Sequence, residues 1–450
     1  MSELAPDNSL VTPIDQANTL TPICFSLESA VNESNRLQRL LSLPKRAAGT
    51  FRKALATAGV IIAAGALAPI AMAEYEPFPY AGKQGHVGAV GEHKLAVVPV
   101  NFRSGPNPEL ALTGEQIDQA LFTAPGSVSN YFADASFGQF QLDGDVLSPV
   151  TVPPYLERSC GGAHNFLQIG KAANAEIEQS AAGNTFNNYD NYMYIFPRQT
   201  NCINVNNNRV LNGRTIGNVS FINSQPTPHE GMYVHELSHE FGLSHANALH
   251  CKSSRGRRIV PPLGFSYNCT EATYQDPFDP MGYAALRATA PIDFDALNKA
   301  RLGWLKPDNI QTVAHSTTVE IAPDEISSNE PQLIRVPYGR DYIYGEKQYL
   351  YIDYRQPLGE DAKVAPTAPI SSMFRGVTLR EAGPIGYGGL ITLGEFTDLI
   401  DTRPHTAAMS DAPLSTGRTY HDKATGITVK TLSVQPSGAE VRIKIPKRIH

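Results

Sequence analysis

The sequence of 450 residues lacks any long run of basic residues, any Cys-x-x-Cys pair and any Gly-x-Ser-x-Gly motif. Its net charge is -6. Because the chain is acidic and has no basic run, it is a poor candidate for binding nucleic acid. Without closely spaced cysteines a thiolate zinc site is disfavoured, and without the serine motif so is a serine hydrolase. Apolar residues make up 42% and charged residues 18%, which is typical of a folded globular protein.

The N-terminal segment has the pattern of an export signal. An uncharged apolar run over residues 54–73 follows the basic residues Lys45, Arg46, Arg52 and Lys53. The run ends in Ala71-Met72-Ala73, the small-x-small form that precedes signal peptidase cleavage. We therefore predict a signal peptide over residues 1–73, cleavage after Ala73 and a secreted or extracytoplasmic protein. The alternative is that the run is retained as an N-terminal membrane anchor, for which it is just long enough.

The cysteines agree with export. Four of them follow the predicted leader: Cys160, Cys202, Cys251 and Cys269. An even number in an oxidising compartment predicts two disulfides, and four cysteines allow three connectivities. We favour Cys160–Cys202 and Cys251–Cys269, because the second bond would close the polar loop over residues 252–268.

The first half of the mature chain mixes strand and helix patterns. Short apolar runs predict strands at residues 94–102, 191–197 and 216–222. Amphipathic patterns predict helices at residues 113–121, 127–137, 165–182 and 293–302. Residues 139–152 alternate around Asp143-Gly144, which predicts a hairpin. Together these patterns predict an α/β (α+β) domain over residues 74–306.

The character of the sequence changes after residue 307. Short alternating segments separated by Gly, Pro and Asp replace the helix patterns, at residues 317–321, 333–336, 349–354, 376–379, 426–429 and 441–445. Such spacing predicts an all-β sandwich domain over residues 307–450.

The most informative segment is residues 227–245, TPHEGMYVHELSHEFGLSH. Thr227 is a suitable N-cap and Pro228 suits the first helical position. His235 and His239 are four residues apart and so share one face of a helix, where both rings reach one ion. Gly242 suits the left-handed conformation that ends a helix, after which His245 returns to the same ion.

Three imidazoles with one open position are typical of a catalytic zinc site. Zn²⁺ activates water, and Glu236, next to the first ligand, is placed to act as the general base. The spacing His-Glu-x-x-His-x-x-Gly-x-x-His matches the metzincin signature. Metzincins also contain a methionine turn below the metal, for which Met281 is the candidate. Tyr283 lies two residues later, and we expect it to stabilise the oxyanion as tyrosines at that spacing do in astacin-like and serralysin-like metzincins.

These motifs resemble the gametolysin (autolysin) peptidases and the related immune-inhibitor-A-type peptidases. The resemblance is carried by residues 127–139, 235–245, 274–282, 298–305, 349–355 and 414–445. It implies a metzincin-like catalytic domain, a substrate cleft across the zinc helix and endopeptidase activity on extracellular proteins, including cell-wall glycoproteins. The chain departs from the gametolysin pattern at Tyr283, where a glycine is expected.

A second reading of the same features is a catalytically inactive zinc-binding protein. In that case the C-terminal sandwich would serve surface binding or adhesion. Retention of Glu236 beside the three histidines argues against this reading. The other histidines near the motif, His164, His229 and His250, are expected to be surface or hydrogen-bonded residues rather than ligands.

Overall fold

The computed structural model describes residues 88–105, 107–153, 163–180, 188–200, 203–204, 209–210, 212–264, 268–282, 291–340, 347–364, 371–382, 397–406 and 408–447. The predicted leader over residues 1–73 lies outside these ranges, and so do Cys160, Cys202 and Tyr283. Within the described ranges, no helix has the length and apolar character needed to cross a membrane.

The first part of the described chain alternates strands and helices. In chain order its elements are β1 (Gly91–Phe102), α1 (Gly114–Asp118), α2 (Val128–Ala135), β2 (Phe140–Val146), β3 (Val150–Val152), α3 (Ala163–Gln179), β4 (Asn191–Phe196), β5 (Ile203–Asn204), β6 (Arg209–Val210), β7 (Gly213–Ile216), β8 (Val219–Asn223) and α4 (Glu230–Glu240). A π-helical turn at Gln119–Thr123 extends α1.

The rest of the chain is mostly strands. Its elements are β9 (Ala246–Lys252), β10 (Arg258–Ile259), β11 (Cys269–Ala272), α5 (Ala296–Arg301), β12 (Ile310–Thr312), β13 (Thr317–Ile321), β14 (Leu333–Arg340), β15 (Lys347–Tyr354), α6 (Gly359–Val364), β16 (Gly376–Glu381), β17 (Thr397–Ile400), β18 (Leu414–Ser415), β19 (Thr419–His421), β20 (Thr428–Gln435) and β21 (Gly438–Lys444).

The first sheet is mostly parallel and is covered on both faces. Its order is β2-β1-β4-β8-β7, with β3 also paired to β1, and only the edge strand β7 runs antiparallel to its neighbour. Side chains of successive residues in β1 point to opposite faces of the sheet, and both sets are apolar. Leu95 and Val97 pack with α1, α2 and α4, whereas Ala96 and Val98 pack with α3 on the other side.

The hairpin predicted at Asp143-Gly144 is wrong. Gly144 lies inside β2, which pairs in parallel with β1 and places Gly144 opposite Leu95. A side chain at this position would clash with the carbonyl oxygen of Leu95. The glycine therefore marks a close approach of two backbones and not a turn.

The hairpin in this part of the chain lies instead within the segment predicted as one edge strand at residues 216–222. Gly217 adopts a φ of 63° and, with Asn218, forms the two-residue turn between β7 and β8. As a result β8 lies inside the sheet, and β7 forms the edge that faces α4.

Two further sheets pack face to face in the second part of the chain. The larger has the order β10-β9-β17-β16-β15-β14-β12, with β11 paired to β9 and β18 to β16. The smaller is antiparallel, in the order β13-β21-β20-β19. Inward-facing side chains from both sheets form one hydrophobic cluster that includes Ile352, Leu379, Val429 and Val441.

The larger sheet draws its strands from both sides of residue 306. β9 follows the metal-binding segment in sequence, yet it pairs in parallel with β17, with Ala246 opposite Thr397. By their mutual contacts the described residues fall in a single unit, Glu76–His450. The structure is thus a mixed α/β fold dominated by sheets. The boundary proposed at residue 307 separates β9 from β17, which pair within one sheet. A separate sandwich domain over residues 307–450 therefore stays a prediction.

Candidate metal centre and active site

Helix α4 carries the first two histidines of the motif. It begins at Glu230, two residues later than the predicted cap Thr227 implies, because His229 supplies the cap instead. The Nδ1 atom of His229 accepts a hydrogen bond from the backbone N–H of Met232 at 3.2 Å. This contact gives His229 a structural role.

The end of α4 turns the chain back towards the helix. Gly242 has a φ of 94°, a conformation that glycine adopts without strain. The backbone N–H of Leu243 then donates to the carbonyl oxygen of Ser238 at 3.1 Å, which closes the helix. The chain reverses here, and His245 comes back over the face that carries His235 and His239.

His235, His239 and His245 form one cluster of potential ligands. One ring nitrogen of each lies within 4.8 Å of the other two. The ring centroids of His235 and His239 are 4.7 Å apart, and those of His239 and His245 are 4.8 Å apart. Residues that are four and six positions apart in sequence thus converge on one point.

Backbone carbonyls set the orientation of two of these rings. The Nδ1–H of His235 donates to the carbonyl oxygen of Pro280 at 2.9 Å, and that of His239 donates to Leu243 at 2.7 Å. A carbonyl only accepts, so in both rings Nδ1 carries the proton and Nε2 is the nitrogen that bears the lone pair. Metal-binding histidines are typically fixed by such contacts.

Burial favours the neutral form of His235 and His245. It lowers the pKa of His235 to about 3, with a further contribution from nearby His239. The pKa of His245 is also well below its ordinary value, first through burial and then through the neighbouring rings. Neutral imidazole is the form that binds a metal ion.

Glu236 is buried beside this cluster, with 5% of its surface exposed. Burial raises its pKa to about 7, while a hydrogen bond from Thr215 and the charge of Arg214 act in the opposite direction. A carboxyl group that titrates near neutral pH exchanges protons readily under physiological conditions.

A tight turn lies directly below the histidines. The backbone N–H of Gly282 donates to the carbonyl oxygen of Asp279 at 2.9 Å, and that of Met281 donates to the Asp279 carboxylate at 2.7 Å. Met281 is fully buried, and its carbonyl oxygen accepts a bond from the N–H of Ala246, the residue after His245. Pro280 therefore contacts His235, and Met281 contacts the residue that follows His245. A methionine turn would make contacts of this kind.

A tyrosine that sequence reasoning missed packs against the third histidine. The rings of Tyr274 and His245 have centroids 3.8 Å apart, and Tyr274 adopts a left-handed φ of 65°, unusual for a bulky residue. Its N–H donates to the Asn247 side chain at 3.1 Å. The spacing from Met281 pointed to Tyr283 instead. The ring contact and the positive φ that mark Tyr274 are features of the fold, and no local pattern in the sequence reveals them.

A disulfide joins Cys251 and Cys269, as favoured from the loop between them. The two cysteines lie opposite each other on the paired strands β9 and β11. The other proposed pair, Cys160 and Cys202, lies outside the described residues.

The donor set fits a zinc ion. Three imidazoles with one ring nitrogen each near a common point, and a buried carboxyl beside them, match the composition of catalytic zinc sites. Within the described residues this is the one group of three or more histidine, cysteine or carboxylate side chains close enough to share an ion.

Comparison with solved structures finds OgpA from Akkermansia muciniphila. Wild-type OgpA in two crystal forms is 12% identical, with TM-scores of 0.27 and 0.28, covering 60% and 68% of this chain and 75% and 92% of OgpA. Catalytically inactive OgpA in complex with an O-glycopeptide substrate (glycodrosocin) is 11% identical, with a TM-score of 0.28, covering 73% and 89%. Scores this low carry no argument about this chain.

Comparison with curated proteins gives no match. A family model, by contrast, matches residues 95–368, well over half of the chain, and it describes gametolysin peptidase M11. The matched range includes the histidine cluster, Glu236 and the turn at Met281. The chain therefore belongs to the gametolysin peptidase family and is a metallopeptidase.

Proposed function

We propose that this protein is a zinc-dependent endopeptidase of the metzincin type that hydrolyses extracellular proteins, including cell-wall glycoproteins. In this proposal His235, His239 and His245 hold Zn²⁺ and Glu236 is the general base. The observation that carries it is the convergence of three histidine rings, two of them oriented by backbone carbonyls, beside a buried carboxyl group.

The chain's own residues account for the movement of the proton. Bound zinc would supply a Lewis acid that activates water and polarises the scissile carbonyl. Glu236 accepts the proton of the water whose oxygen attacks the carbonyl carbon. It then transfers that proton to the amide nitrogen as the C–N bond breaks, which leaves Glu236 ionised for the next cycle.

The proposal assigns the two tyrosines near the site different roles. Tyr283, two residues after Met281, is proposed to donate a hydrogen bond to the oxyanion in the transition state. Tyr274 is proposed to support His245 through its ring alone, as their stacking suggests.

We also propose that the protein is exported. The leader pattern over residues 1–73 motivates this, with the membrane anchor as its alternative form. The Cys251–Cys269 disulfide supports it, because disulfides persist mainly in oxidising compartments.

The competing function is an inactive zinc-binding adhesion protein. Such a protein would gain nothing from a fully desolvated glutamate held beside the metal site, since burying a carboxyl group is costly. The position and the raised pKa of Glu236 therefore favour hydrolysis.

The direct test is a chelator-sensitive cleavage assay on casein and gelatin with the purified protein and its Glu236→Gln variant. We expect the variant to lose about 10²–10⁴-fold in kcat/KM, the contribution typical of a general base. It should retain wild-type zinc content, because Glu236 is not a ligand.

The matched control is His315→Ala, which removes an exposed histidine far from the cluster in sequence and should leave cleavage and zinc content unchanged. Hydrolysis by Glu236→Gln at the wild-type rate, or hydrolysis that persists after zinc is stripped, contradicts the proposal.

A further inference from the structure

The carboxyl group of Glu236 lies against the edge strand β7. The Thr215 hydroxyl donates to Glu236 Oε2 at 2.7 Å and lies 2.8 Å from the carbonyl oxygen of the same residue. One hydroxyl thus contacts both the side chain and the backbone of the proposed base. Such a double contact limits the orientations that the carboxyl group can adopt.

Gly213 leaves room for the other oxygen of the same carboxyl group. Residues 213 and 215 lie on one face of β7 because side chains alternate along a strand. A methyl group at position 213 would come to 2.7 Å from Cδ of Glu236, and closer still to Oε1. Gly213 is not among the glycines with positive φ, so it is required here for space and not for backbone conformation.

A second set of buried polar groups packs behind Thr215. Its hydroxyl oxygen lies 3.1 Å from that of Ser220 on β8, which in turn donates to Glu240 at 2.5 Å. The Asn191 side chain donates to the other oxygen of Glu240, also at 2.5 Å. Asn191, Ser220 and Glu240 are all fully buried, so this chain of contacts is shielded from competing water.

We propose that Thr215 and Gly213 are positioning residues for the catalytic base. Thr215 anchors Oε2. Because Gly213 has no side chain, Oε1 can lie where a β-carbon would otherwise be. This inference rests on the proposed function, since it presumes that Glu236 is the base. Glu240 lies further back, where it accepts the hydrogen bond of Ser220.

The proposal predicts a loss in turnover that leaves substrate binding intact. Displacing a catalytic group by about 1 Å costs on the order of 10²-fold in rate. An interaction that matters only in the transition state lowers kcat and leaves KM unchanged. A merely structural role would instead lower thermal stability or zinc content.

The experiment compares Thr215→Val with Thr215→Ser in the full-length mature protein. Valine keeps the branched shape and the strand preference but has no hydroxyl, whereas serine keeps the hydroxyl. We expect the valine variant to lose about 10- to 100-fold in kcat, with KM, zinc content and melting temperature unchanged. The serine variant should recover most of that loss.

Gly213→Ala tests the same claim without removing any hydrogen-bonding group. The added methyl group displaces the Glu236 carboxyl, so kcat should again fall by about 10-fold or more while zinc stays bound. Gly217→Ala, in the turn at the other end of the same strand, is the control for strain in β7, because its φ of 63° strains an added side chain while no atom lies within 4 Å of the methyl group. Its kcat should be that of the wild type.

Full turnover by Thr215→Val, or equal losses in the valine and serine variants, would overturn the inference. Either outcome is separable from failure of the proposed function. If the wild type cleaves and Glu236→Gln does not, the base assignment stands and only the positioning role fails. If the wild type shows no zinc-dependent cleavage, the proposed function itself fails.

Discussion

Two regions of the molecule remove ionisable side chains from water. In the histidine cluster, backbone carbonyls orient two of the three rings, and one nitrogen of each ring lies near a common point. In the second region, which we call the arginine network, Arg355 and Arg380 are fully buried among the carboxylates of Asp276, Asp353 and Asp361. The first region gathers potential metal ligands at one point, whereas the second matches each cation with carboxylates.

The arginine network ties the turn below the histidines to the larger sheet. Arg380 on β16 donates to Asp276 at 2.9 Å and to Asp353 at 2.6 Å. Arg355, directly after β15, donates to the carbonyl oxygens of Phe278 and, at 2.8 Å, of Asp293. The strands after residue 306 therefore support the segment that carries Met281.

The comparison teaches that the burial of ionisable side chains serves two different purposes in one chain. Ring nitrogens that converge on one point indicate a binding site, whereas mutually paired charges indicate a structural joint. Removing one partner of a buried pair costs stability because it leaves an uncompensated charge. Removing a catalytic group costs rate.

The largest effect on stability is expected for Arg380→Met. This change leaves Asp276 and Asp353 without their cation and should lower the free energy of unfolding by about 3–5 kcal/mol, measured by urea denaturation. Arg418→Met, at an exposed site, should change it by less than about 0.5 kcal/mol. Equal stabilities for the two variants would show that the network is not a structural joint.

The next effect concerns the disulfide, which links β9, directly after His245, to β11, shortly before Tyr274. Replacing Cys251 and Cys269 together with alanine should cost about 3 kcal/mol of stability, as expected for a loop of this length. Thermal unfolding of the wild type and of the double variant measures it. An unchanged melting temperature would exclude a stabilising role for this bond.

A smaller effect, on rate alone, separates the two tyrosines. Tyr283→Phe should lower kcat by about 10²-fold, the cost of losing one hydrogen bond to the oxyanion. Tyr274→Phe keeps the ring that packs on His245 and should retain wild-type kcat. The reverse ranking would move the oxyanion role to Tyr274.

The sequence was sufficient to predict the parts whose partners lie close together along the chain. The His235–His239 spacing, the reversal at Gly242 and the strands around residues 94–102 and 191–197 follow from local periodicity. The prediction of a cap at Thr227 is wrong, because the His229 side chain accepts the hydrogen bond instead, and histidine is not among the usual capping residues. The hairpin at Asp143-Gly144 failed, because a glycine that permits close packing resembles one that permits a turn.

Other contacts join residues too far apart to be found from local pattern. Thr215 and Glu236 are 21 positions apart, and Arg380 and Asp276 are 104 apart. No periodicity relates such pairs, and their side chains are common types in ordinary strands. The first contact depends on the edge strand β7 lying against α4, and the second depends on β16 lying beside the segment that precedes Met281.

The central claim is that three imidazole nitrogens of this chain bind one zinc ion. X-ray absorption at the zinc edge of the purified protein tests it directly. The account predicts three nitrogen ligands at about 2.0–2.1 Å and the loss of this shell in the His239→Ala variant. Sulfur ligands at about 2.3 Å, or a zinc spectrum that His239→Ala leaves unchanged, would contradict it.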